Sequence, residues 1–208
     1  NSHVDNNIGS WDVSSVTNMS GMFNGATSFN QPLPDWKTGN VKDMSKMFRM
    51  VQSFNQDLNW DVGEVTDMSG MFSGATKFNQ SIGNWSVSNV TNMTGMFLAA
   101  NKFNQPIDRW KVNKVTNMNG MFTNASKFNQ PIGNWEVNKV TNMSNMFNGA
   151  TNFDQDLSQW KVGSVTNMSS MFAGATKFNN NGKSLTNFGL VFGGELGKVT
   201  IITNPNNI

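Results

Sequence analysis

The chain has 208 residues, of which 13% are charged, and a formal net charge of +2, far from the dense basic surface of a nucleic-acid binder. It contains no cysteine, which removes disulfides, thiolate catalysis and cysteine zinc sites together, and no run of about 18 apolar residues that would span a bilayer. With no tyrosine but 15 methionines, 16 phenylalanines and 7 tryptophans, its apolar inventory is narrow in the way a repeated template produces.

The chain opens at Asn1-Ser2-His3 without a signal peptide, and an export signal or lipid anchor is expected to have stood ahead of it. His3 is the only histidine, so neither a Ser-His-Asp triad nor a multi-histidine metal site can be assembled within one chain. From Trp11 onward a clock sets in: Trp11, Trp36, Trp60, Trp85, Trp110, Trp135 and Trp160 recur at spacings of 25, 24, 25, 25, 25 and 25. The motif W-x-V-x-x-V-T-N-M-S-x-M-F-x-G-A-T-x-F-N-Q-x-I-x-x is plainest from Trp135 to Gln159. Every tryptophan, every methionine except Met50 and every phenylalanine except Phe188 and Phe192 belongs to it. One such coil cannot bury its apolar side alone, whereas stacking like on like makes a continuous core. The methionine columns (Met19 to Met168, Met22 to Met171) and the phenylalanine columns beside them are therefore interior positions, sulfur packing against rings.

Within each coil, M-S-x-M-F-x-G-A places apolar residues at i, i+3, i+4 and i+7, which predicts a short helix or 3-10 turn. Asn18, Asp43, Asp67, Asn92, Asn117, Asn142 and Asn167 precede it as caps, and pairs such as Gly25-Ala26 and Gly74-Ala75 end it. The following F-N-Q-x-I/L predicts a short strand, pairing in parallel with its neighbours about 4.8 Å away. Inside it runs a polar column, Asn30, Asn55, Asn79, Asn104 and Asn129, interrupted by Asp154 and flanked by glutamines, which reads as a stacked amide ladder. After Asn179 the pattern dissolves, and Leu190 to Phe192 with Val199 to Ile202, around Gly193-Gly194 and Gly197, predict a β-hairpin cap. The expected architecture is an α/β solenoid of about seven 25-residue coils over residues 1–180, closed by a C-terminal cap over 181–208.

The string V-T-N-M-S-x-M-F-x-G-A-T-x-F-N-Q-x-I-x-x-W-x-V is similar to the 25-residue repeats of mycoplasma-type surface lipoproteins, a family of unknown function, over about residues 11 to 180. That family resembles the BspA-like leucine-rich repeats, whose A-F and I-P landmarks correspond to M-F and W here. The resemblance implies a right-handed leucine-rich-repeat-like solenoid on a bacterial surface, with a role in adhesion or host contact. It brings no catalytic residues, and Leu185 to Ile208 matches no repeat.

The thirteen carboxylates are scattered over different columns, with no D-x-D-x-D-G loop and no H-E-x-x-H, so no catalytic residue, metal or cofactor is expected. The strongest surface signal is a lysine column, Lys77, Lys102, Lys127 and Lys177, with Lys114 and Lys139 forming a shorter one. Either set can be an anion-facing stripe or only a solvated face. A threonine column, Thr17 to Thr166 broken by Lys42, sits where its hydroxyls can bond backbone. The expected function is a monomeric, non-enzymatic adhesion or ligand-binding module outside the cell, lipid- or wall-anchored in its full-length form, contacting a host or cell-surface protein or an anionic glycan. The alternative is a structural spacer or stalk.

Overall fold

The structure, a computed structural model, describes residues 7–188. Each repeat forms one winding and lies against the next through the same set of backbone bonds. In the coil that begins at Trp85, the N–H groups of Met93, Gly95, Phe97 and Ala99 donate to the carbonyls of Asn117, Asn119, Met121 and Thr123 one coil on, at 2.7–3.0 Å. The intervening N–H groups of Met96, Leu98 and Ala100 turn inward to the carbonyls of Met93, Gly95 and Phe97, three residues back. Thr116 donates in the other direction, to Thr91, at 2.9 Å. Alternate amides thus serve the coil's own turns and the neighbouring coil, so the backbone of this segment is satisfied without helix or sheet.

This overturns the expected α/β solenoid with a helix and a strand in every coil. Gly95 and Ala99 have φ of +59° and +57°, and the same two positions are left-handed in the other coils, from Gly21 and Gly25 through Lys46 and Met50 to Ser170 and Gly174. An α-helix of L-residues has no place for left-handed residues four apart. A succession of tight turns does, since a type II turn requires positive φ at its third residue. The i, i+3, i+4, i+7 apolar spacing is met either way: Met93, Met96, Phe97 and Ala100 all point inward and are fully buried.

The expected strand over F-N-Q-x-I is absent as well. Among the described residues, the helical pieces are three 3-10 turns, Ile8–Ser10, Asn180–Gly182 and Thr186–Phe188, at the ends of the repeat array. Parallel pairing is reduced to isolated bridges in the Asn/Asp column, running from Asn18↔Asp43 to Asn142↔Asn167. The leucine-rich-repeat-like form goes with the strand and helix it needs. The expected hairpin at Leu190–Phe192 and Val199–Ile202 lies outside the described residues.

Side-chain amides take the place of the missing strand pairing. The N–H of Asn104 donates to Asn79 Oδ1 at 2.9 Å, and Gln105 Nε2 donates to both the Oδ1 and the backbone carbonyl of Asn79 at 3.1 Å. The pattern repeats from Asn30 to Asp154. Asp154 ends it: its Oδ1 accepts the N–H groups of Asn179 (2.8 Å) and Asn181 (2.9 Å), a task suited to a carboxylate, which only accepts.

Aromatic stacks fill the interior. Phe97 stacks on Phe103 within its coil at 4.2 Å and on Phe122 of the next at 5.6 Å, while Trp110 and Trp135 stack at 6.3 Å. Each buried indole needs a partner for its N–H, and Trp110 Nε1 finds the carbonyl of Ile82, 28 residues back, at 3.0 Å. At the C-terminal end Phe188 stacks on Trp160 at 6.5 Å, and Asn187 Nδ2 donates to the Leu157 carbonyl (3.1 Å) where a further indole would have done so. At the other end Trp11 is 50% exposed and Met22 39%, having no coil packed over them among the described residues.

Candidate ligand-binding faces

The turn after each G-A element brings the residue before the second phenylalanine to the surface. Lys77, Lys102 and Lys127 therefore stand exposed on three successive coils, beside the Phe78–Phe103–Phe128 stack with its steps of 6.1 Å. Asn152 occupies the next rung and Lys177 the one after. None of the four lysines has a hydrogen bond or ion pair within the described residues. Lys114 and Lys139 are exposed on adjacent coils in a different column, and Lys114 Nζ is engaged by Asn89 Oδ1 at 2.9 Å.

A second charged column lies directly after each tryptophan, and the sequence reading missed it. It runs Asp12, Lys37, Asp61, Ser86, Lys111, Glu136 and Lys161, so its charges alternate in sign from coil to coil on either side of the neutral Ser86. The signal was present in the sequence but emerges only when the coils are aligned as neighbours. Its first member, Asp12, is held below the usual carboxylate range by hydrogen bonds from the hydroxyl and N–H of Ser14. Asp156 is shifted the same way by the hydroxyl and N–H of Ser158, with Lys183 Nζ 3.1 Å away adding a smaller effect.

Open grooves run between coils on the tryptophan side. One of about 290 Å³ is formed by Gly83, Asn84, Trp85 and Ser86 with Arg109 and Lys111 of the next coil. Another of about 300 Å³ lies between Gly133–Glu136 and Gln159 with Lys161. A third, of about 400 Å³, adjoins the latter and brings Asp108 and Asp156 to its walls. Among the described residues no three histidine, cysteine or carboxylate side chains gather closely enough to hold a metal ion. No helix there is long and apolar enough to cross a membrane.

The threonine column is exposed, and its hydroxyls bond the threonine carbonyl of the preceding coil, as Thr116 Oγ1 does to Thr91 at 3.3 Å. The Asn/Asp column accepts the N–H two residues on, as Asn92 Oδ1 does from Thr94 at 3.0 Å; these are Asx turns opening a run of tight turns, not helix caps.

A repeat protein built on this 25-residue unit is thus defined, and its family is shown by sequence. The family described as Mycoplasma protein of unknown function, DUF285, matches residues 1–59, 58–141 and 102–189, and the chain belongs to it. No curated protein and no solved structure matches the chain.

Proposed function

We propose that this chain is a non-enzymatic ligand-binding or adhesion module displayed at a cell surface, using the Lys77, Lys102 and Lys127 row, with Lys177 beyond it, to hold an anionic glycan or protein. The observation that carries this reading is a contrast between two columns of one chain. The column after the tryptophans alternates in sign on either side of the neutral Ser86, so its charged neighbours attract. The lysine row repeats a single sign with no internal counter-ion, and each pair about 6 Å apart repels by about 0.7 kcal/mol even in water. A polyanion laid along the row relieves that repulsion; Lys114 and Lys139 form a second cationic edge for it. The module acts as a monomer outside the cell, anchored by lipid or to the wall.

Binding of sulfated oligosaccharides and acidic proteins on arrays tests this. Wild-type binding should weaken with salt and be lost in the variant carrying Lys77, Lys102, Lys127 and Lys177 to alanine. Binding to nothing, or binding that survives the four substitutions, refutes it. The continuous backbone bonding from coil to coil favours a second reading, a spacer that holds another domain away from the cell, and a wild type that binds no ligand would support that.

A further inference from the structure

We propose that the turn side of the solenoid lies against a bilayer surface rich in anionic phospholipid. In each coil the stretch from the Asn/Asp column that opens the turns to the amide ladder forms part of one continuous band of surface, because both bordering columns are bonded from coil to coil. All eleven carboxylates of the described residues lie outside that band. Its charged side chains are Lys46, Arg49, Lys77, Lys102, Lys127 and Lys177, all exposed, and glycine, serine, threonine and asparagine fill most of the exposed positions between them. On the rest of the described surface acids outnumber bases. Asp43 and Asp67 stand on one border of the band and Asp154 on the other, each with an oxygen engaged by backbone N–H groups at 2.8–2.9 Å.

Coil 2 departs from the template within this band, at a local cost. Lys46 (φ 56°) and Met50 (φ 60°) occupy left-handed positions that hold glycine in most coils, where a long side chain adds strain. Their side chains cross the next coil: a Cβ on Gly70 would stand 3.3 Å from Lys46 Cγ, and one on Gly74 would overlap Met50 Sδ. Arg49 reaches only the Asn24 amide oxygen, at 3.5 Å, and the Lys46 ammonium has no hydrogen bond or ion pair within the described residues. Met50 remains 39% exposed beside these bases. An exposed thioether flanked by unpaired bases suits a headgroup layer, the methionine entering its apolar boundary and the bases meeting phosphates.

The form of the band favours lipid over protein. Protein interfaces gather their binding energy in aromatic and arginine anchors seated in pockets, and are depleted in lysine. Here five of the six cations are lysines, spread over coils 2 to 7, and the open grooves lie on the tryptophan side instead. A charged bilayer attracts each base separately and needs no pocket to do so. For this docking to hold, the lysine row must face an anion, as in the reading above; the partner is a lipid surface, and Lys46, Arg49 and Met50 join the row.

Co-sedimentation of the full chain with vesicles of phosphatidylglycerol and phosphatidylcholine in equal parts, against phosphatidylcholine alone, tests the proposal. The mixed vesicles should bind in preference, and less tightly as salt rises. Each base near an anionic surface contributes about fivefold, so K46G/R49S/M50G should weaken vesicle binding by about tenfold or more. The same variant, with the lysine row intact, should keep its binding of sulfated oligosaccharide within about twofold, and K111A/K161A, on the tryptophan side, should leave vesicle binding within about twofold. Unchanged tryptophan fluorescence will report folding, and K46G/R49S should lose vesicle binding in the same direction if the triple variant does not fold. Equal binding to both kinds of vesicle, full binding by K46G/R49S/M50G, or a loss in K111A/K161A as large as in that variant overturns the proposal. Sulfated oligosaccharide bound through the row with no vesicle binding also overturns it, and leaves the lysine-row reading standing. If K46G/R49S/M50G loses the oligosaccharide along with the vesicles, the patch is a general anion site and the lipid assignment falls.

Discussion

Replacing Ala99 by glycine separates the turn structure from a helix by the sign of the effect. Ala99 has φ +57° and its N–H donates to the Thr123 carbonyl at 2.7 Å, a bond glycine retains. Holding an L-residue in the left-handed region costs about 1–2 kcal/mol, which glycine removes. Against this stand about 0.4–1 kcal/mol for the freer unfolded chain and a few tenths for a partly buried methyl, about 0.3 kcal/mol. The net expectation is a gain of about 0.5 kcal/mol, or about 1–2 °C in Tm for a chain of this size. In a helix the same change loses about 1 kcal/mol and lowers Tm by about 2–4 °C. Lys46 (φ 56°) and Ser170 (φ 55°) occupy the companion left-handed column, and lie far enough from Ala99 for their effects to add. The triple glycine variant should then gain about 1.5 kcal/mol and melt about 3–6 °C higher by tryptophan fluorescence or calorimetry. A fall in Tm for either variant refutes the left-handed assignment.

Other perturbations probe the two ladders and the C-terminal end. Asn104→Ala strips the acceptor from the Asn129 N–H (2.9 Å) and one of the two acceptors from the Gln130 amide (3.0 Å); it should cost about 1–3 kcal/mol in urea unfolding, while Asn104→Asp, which keeps the acceptor as Asp154 does, should retain most of the stability. Trp110→Phe removes one of the two bonds to the buried Ile82 carbonyl, which keeps the Trp85 N–H at 3.1 Å, and leaves a cavity beside Trp135, so the urea midpoint should fall by the equivalent of about 1–3 kcal/mol; an unchanged midpoint would show that the indole bond contributes nothing. Asp156 has its pKa lowered by Ser158 and Lys183, so it contributes stability above its unfolded pKa of about 3.9, and this is lost as pH falls through the lower folded value. The advantage of wild type over Asp156→Asn at pH 6 should therefore shrink below about pH 4 in thermal melts, and an advantage that grows there would contradict the sign of the shift.

The repeat and its interior were legible because they are written as identities at fixed spacing. Trp85 and Trp110, or Phe78 and Phe103, recur in step, and stacked coils place like residues together whatever the backbone does between them. Turns were less legible for a local reason. Gly70, Gly95 and Gly120 mark the first left-handed column, but Lys46, Asn145 and Ser170 stand in the same place, so the glycine signal is diluted while the helical apolar spacing is not. The lysine row could be named from the sequence; the grooves could not, since each joins residues of adjacent coils across a glycine that marks close approach only once its neighbour is in place.

What the sequence by itself determined is the period, the inward columns and the membership of a repeat family, because these depend on residue identity alone. What only the tertiary structure decided is where each backbone amide goes. Met93, Gly95, Phe97 and Ala99 could have bonded within a helix, and they donate instead to the following coil. That choice is made between segments a full winding apart, and a hydrogen bond whose acceptor belongs to another coil leaves no trace in local spacing.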